Sequence, residues 1–172
     1  MTTKAYVLLL LENYRNLIHR ASILEFELAN LKPLHDAEMI EAMALYHPQT
    51  ECISIGGGTV DRTSNVALEY KQQSERQYLD AKIGIQTEIK EIRSITDRLE
   101  IYVENLPKKS AAAIKGYYFE GKTWPELQGD DVKATIKTLM RRRDKGVEIL
   151  TDLYDRIIKL GILNTEDLNL KL

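Results

Sequence analysis

The chain has 172 residues, which suits one ordinary domain or two small ones and excludes a large multi-domain enzyme. Hydrophobic residues make up 44% and charged residues 29%, with a net charge of −2, so a disordered or fibrous protein is excluded. A single cysteine, Cys52, excludes an intrachain disulfide and a cysteine-rich metal site. This cysteine content fits a reducing cytoplasm. Few glycines and prolines among many helix-forming residues predict an all-α protein.

The N-terminal part of the chain predicts two helices and a loop. Apolar side chains recur at helical spacing over residues 4–31, and Pro33 ends the pattern. A shorter helix is predicted over residues 36–47, since Asp36 can cap its first turn. The following stretch, at about residues 47–62, breaks the helical pattern and contains three consecutive glycines. It is predicted to be a flexible loop.

A long helix is predicted to run to about Asn105, with Asp61, Thr63 or Ser64 as its cap and Pro107 after its end. Its second half carries an apolar stripe at spacings of three and four, interrupted only by Thr96 and formed by Ile85, Ile89, Ile92, Leu99, Val103 and Leu106. Such a stripe is typical of the seam of a helical hairpin or coiled coil. We therefore expect residues 1–106 to form a helical bundle or a long hairpin that serves self-association or partner binding.

Shorter elements are predicted after Pro107. Residues 110–119 form a helix, and a turn follows at Glu120–Lys122. Thr123 can cap the next short helix, and Glu126 lies three residues later, which is the spacing of a capping box. Trp124, at the start of this helix, is predicted to be a packing anchor under the last helix.

The last predicted helix begins at Val132 or Lys133, after a turn at Gly129–Asp131, and continues to about Leu160. Its apolar stripe contains Ile136, Met140, Val147, Leu150, Tyr154 and Ile157. The order of helix, turn, short helix, turn and long helix is that of a helix-turn-helix. We assign this fold to residues 107–172.

Charge is distributed unevenly along the chain. Residues 107–146 carry 10 Lys and Arg against 5 Asp and Glu, whereas residues 1–106 carry 11 against 16. A basic block inside an otherwise acidic chain indicates a local anionic partner. An α-helix fits the major groove of double-stranded DNA, where exposed side chains of its first turns reach base edges and neighbouring cations contact phosphates. The residues that we expect to face DNA are Lys133, Ala134, Thr135, Lys137, Thr138, Arg141, Arg142, Arg143 and Lys145.

Several parts of the sequence also carry a family resemblance: Asp61–Leu68, Asp97–Pro107, Ile114–Leu127, Lys133–Ile136 and Leu150. They resemble phage transcriptional regulators of the RinA/ArpU type, and the C-terminal part is similar to the promoter-reading helix-turn-helix of bacterial sigma factors. The resemblance implies control of late phage genes inside a bacterial host cell. It also implies that Lys133, Thr135 and Lys137 begin the recognition helix.

The sequence thus predicts a cytoplasmic, sequence-specific regulator of transcription that binds double-stranded DNA. Two alternatives stay open at this point. In the first, the protein is a sigma-like factor that acts with host RNA polymerase. In the second, it is a helical adaptor that binds another protein, and its basic stripe is only a solvated face. We expect no enzyme activity, no cofactor, no metal and no membrane partner. The surplus of apolar stripes, together with the symmetry of many operators, predicts a dimer or other homo-oligomer.

Overall fold

The computed structural model describes residues 2–33 and 62–163. This part of the chain contains five α-helices and no strand, which confirms the all-α prediction. The helices are α1 (Thr3–Asn30), α2 (Arg62–Glu104), α3 (Lys108–Ile114), α4 (Trp124–Asp130) and α5 (Ile136–Lys159), and a π-helical turn (Lys115–Phe119) extends α3. Within the same residues, no helix has both the length and the apolar character needed to cross a bilayer.

The two long helices match their predicted extents. Periodicity predicted a helix over residues 4–31, and α1 covers Thr3–Asn30. The predicted helix from about Asp61 to Asn105 is α2, which covers Arg62–Glu104. The short helix predicted over residues 36–47 and the predicted loop lie outside the described residues, apart from Arg62, which begins α2.

The chain divides into two compact units, and the division differs from the predicted boundary after residue 106. One unit contains residues 1–23 together with 90–172, and the other contains residues 24–89. The beginning of α1 and the end of α2 therefore belong to the same unit as α3, α4 and α5. The other unit holds the end of α1 and most of α2, and it carries exposed apolar side chains at Phe26, Leu79 and Ile83.

A single core holds the larger unit together. Its buried side chains are Tyr6, Val7, Leu10 and Leu11 of α1, Leu99 and Val103 of α2, Leu106, Ile114 and Tyr118, Val147, Leu150 and Tyr154 of α5, and Leu163. Tyr154 lies at the centre of an aromatic group, because its ring makes edge contacts with Tyr6 at 5.7 Å and Tyr102 at 5.4 Å. Parts of all three predicted apolar stripes are thus buried within one chain. These parts are therefore not surplus apolar faces that need a second chain to cover them, and dimerisation stays a prediction.

Candidate nucleic-acid interface

Two glycines allow α3, α4 and α5 to approach one another closely. A Cβ on Gly146 of α5 would lie 2.6 Å from Cδ1 of Ile114, the last residue of α3. A Cβ on Gly116, in the π-helical turn, would collide with the side chain of Leu127 in α4. Real Cβ atoms do not approach other atoms this closely, so glycine at both positions lets the helices pack at this distance without a shift of Leu127 or Ile114.

The predicted turn at Glu120–Lys122 connects the π-helical turn to α4. Gly121 has a φ of +69°, a backbone conformation that residues with side chains rarely adopt. The amide of Lys122 donates a 2.9 Å hydrogen bond to the carbonyl of Gly116, which closes the turn. The guanidinium of Arg15 in α1 lies directly against Gly121, so the N-terminal helix supports this turn.

A capping box begins α4, as the sequence predicted. The carboxylate of Glu126 accepts hydrogen bonds from the backbone amide of Thr123 at 2.7 Å and from its hydroxyl at 2.8 Å. These bonds hold the pKa of Glu126 below its ordinary value, because they stabilise the charged form. Lys122 pairs with both Glu120 and Asp130, which ties the turn to the end of α4.

The connection between α4 and α5 differs from the prediction. Gly129 and Asp130 are helical, and α5 begins at Ile136 rather than at Val132 or Lys133. The physical reason is the cap: the hydroxyl of Thr135 accepts a hydrogen bond from the amide of Thr138 at 3.3 Å. Residues 131–135 therefore form the connection.

At the beginning of α5, the buried face includes Leu139, whereas the predicted stripe included the next residue, Met140. The buried residues of α5 are Leu139, Gly146, Val147, Leu150 and Tyr154. Of the predicted stripe, Ile136 is half-buried and Met140 is exposed. Leu139 instead packs with Leu127 and Ala134 in a small second cluster. Trp124 packs against this cluster, which connects α4 with Leu139 of α5.

One residue must be removed from the expected DNA-facing set. Ala134 is only 3% exposed and packs between α4 and α5, so it cannot contact a thymine methyl group in this conformation. The exposed members of the set are Lys133, Thr135, Lys137, Thr138, Arg141 and Lys145. Lys137, Arg141 and Lys145 recur every four residues on the helical α5, which places them along one side of the helix.

Arg142 and Arg143 are partly buried and already have partners within the chain. Nη1 of Arg142 lies 2.7 Å from Oδ2 of Asp131, and this bond holds the pKa of the Asp131 carboxyl below its ordinary value. Nη2 of Arg143 lies 2.6 Å from Oδ1 of Asp144. Both arginines were expected to face DNA, whereas the structure pairs each of them with a carboxylate of the same chain. Four predicted cations form no ion pair among the described residues: Lys133, Lys137, Arg141 and Lys145.

The structure adds two cations that the stripe on the last helix did not predict. Lys108 and Lys109, at the start of α3, are exposed. Together with Asp131 and Arg142 they line a cleft of about 410 Å³ between α3 and the α4–α5 connection. The two lysines were part of the basic block of residues 107–146. Tertiary packing brings both lysines near the start of α5, and the periodicity of a single helix cannot predict such a contact.

Comparison with known proteins does not identify a family for this chain. No family model, no curated protein and no solved structure matches it. The resemblance to phage regulators therefore stays a prediction from the sequence segments that carry it, and the function has to be argued from the geometry of α3, α4 and α5.

Proposed function

We propose that the protein binds double-stranded DNA through α4 and α5, with the beginning of α5 as the recognition helix in the major groove. The observation that carries this proposal is the exposed face at the beginning of α5. Lys137, Arg141 and Lys145 lie along it and form no ion pair with the part of the chain that the structure describes, while Leu139 and Val147 on another face are buried. The helix is thus held from one side and presents positive charge on another.

The chemistry of this face suits DNA in two ways. The hydroxyl of Thr138 and the guanidinium of Arg141 are groups that can recognise base edges, and Lys133, Lys137 and Lys145 are suited to phosphates. The first turn of α5 contains no acidic residue, so nothing there offsets the positive end of the helix dipole. We also propose that the protein controls transcription of late phage genes. This role is supported by the resemblance of the sequence to phage regulators together with the proposed DNA-binding surface.

The first experiment measures binding of the full chain to a random-sequence DNA duplex by fluorescence anisotropy at several salt concentrations. Four cations on α5 and the connection before it, together with Lys108 and Lys109, give an expected slope of log affinity against log salt of roughly −4 to −5. A slope near zero, or no binding at low salt, would refute the proposal. It would favour the adaptor interpretation, in which the basic stripe is only solvated.

A second experiment locates the interface. Arg141→Ala should weaken binding by about 1–3 kcal/mol, with a larger loss on a duplex selected from a random pool than on random DNA if Arg141 contacts a base. Lys159→Ala is the matched control, because Lys159 is an exposed cation in the last turn of the same helix. Equal losses from the two variants would place the interface elsewhere.

A further inference from the structure

Arg143 takes part in a stack of planar groups that connects the π-helical turn, α4 and α5. The rings of Tyr117 and Trp124 are nearly parallel, with centroids 4.4 Å apart and an angle of 18° between their planes. The guanidinium carbon of Arg143 lies 5.5 Å from the centroid of the Trp124 ring. Tyr117 and Arg143 therefore both pack against the indole of Trp124.

The charge of Arg143 is also engaged within the chain. Oδ1 of Asp144 accepts hydrogen bonds from Nε of Arg143 at 2.9 Å and from Nη2 at 2.6 Å, which holds the guanidinium plane in place. Burial raises the pKa of Tyr118, and the nearby guanidinium of Arg143 acts in the opposite direction. Arg143 therefore faces aromatic rings and a carboxylate, whereas Arg141, two residues earlier, is exposed and forms no ion pair among the described residues.

We infer that Arg143 is a positioning residue: its guanidinium stacks on Trp124 and fixes α5 at its angle to α4, and it does not contact a phosphate. The inference rests on the proposed function and assigns a separate role to one cation of the basic stripe.

The test uses Arg143→Lys, which keeps the positive charge but loses the planar group that stacks on an indole. If Arg143 fixes α5, this variant should bind DNA roughly 2- to 30-fold more weakly, with an unchanged salt slope. Trp124 is the only tryptophan of the chain, so its fluorescence in the free protein reports on the stack, and its emission should change. Arg141→Lys is the matched control and should leave the emission unchanged.

Two results would overturn the inference. One is Trp124 emission that is the same in wild type and Arg143→Lys. The other is normal DNA binding by Arg143→Lys, together with a salt slope that becomes shallower by about 0.9 in Arg143→Ala, as the loss of one phosphate contact requires. Failure of the proposed function looks different. In that case the wild-type protein does not bind DNA, while the emission of the free variants still decides whether Arg143 stacks on Trp124.

Discussion

Replacement of Gly146 by alanine tests whether close packing of α5 on α3 holds the basic face in place. The new Cβ would lie 2.6 Å from Cδ1 of Ile114 and 3.3 Å from Cβ of Ser110. Ile114 is fully buried and Ser110 is 4% exposed, so neither side chain has room to move away. Overpacking of this kind costs about 1–3 kcal/mol. Alanine recovers about 1 kcal/mol of helix propensity, which leaves a net loss of about 1 kcal/mol.

Gly129→Ala is the matched control, because Gly129 is also helical and no atom lies within 4 Å of a Cβ built there. This variant should gain up to about 1 kcal/mol. Thermal unfolding followed by circular dichroism should place the Tm of Gly146→Ala below wild type and that of Gly129→Ala above it. The expected changes are about 2–4 °C each. If Gly146→Ala were as stable as Gly129→Ala, the close approach of α3 and α5 would be refuted.

Three further predictions follow from the same geometry. Tyr14→Phe should lose about 1–2 kcal/mol in urea unfolding, because the Tyr14 hydroxyl donates a 2.5 Å hydrogen bond to the Glu100 carboxylate; unchanged stability would contradict this. Hydrogen bonds from Thr123 hold the pKa of Glu126 below its ordinary value of 4.5. The contribution of the charged Glu126 to folding stability is therefore complete above pH 4.5 and is lost as the pH falls through the lowered pKa. Glu126→Gln should therefore show a smaller drop in Tm on acidification than wild type, and an equal drop would contradict the capping bonds. Joint replacement of Lys108 and Lys109 by alanine should make the salt slope of DNA binding shallower by about 1–2, and an unchanged slope would place both lysines away from the DNA.

Local signals in the sequence predicted the helices correctly where the physics is local. The extents of α1 and α2 follow from apolar spacing, and Pro107 follows the predicted end of α2. The capping box at Thr123 and the turn at Gly121 depend on residues within a few positions of each other. Interactions of this range are visible in a single sequence, because chain connectivity alone brings the groups together.

The register at the beginning of α5 needed information from other helices. Both Leu139 and Met140 lie at a helical spacing from Val147, so periodicity alone cannot choose between them. The choice depends on Leu127 and Ala134, which pack against Leu139 from α4 and the connection. The same limit applied to the cations, since six basic residues look alike until the structure shows that two of them have partners.

The division into two compact units differs from the predicted boundary after residue 106 for a related reason. A change in charge marks that point of the sequence, but the core does not follow surface charge, because burial depends on apolar faces and these continue across Pro107. Tyr14 of α1 stacks on Phe119 at a centroid distance of 3.8 Å, and Arg15 lies against Gly121, so α1 contacts the turn that precedes α4. The orientation of the basic face therefore depends on side chains more than one hundred residues earlier in the sequence. In the larger unit, the N-terminal helix is thus part of the support for the proposed recognition helix.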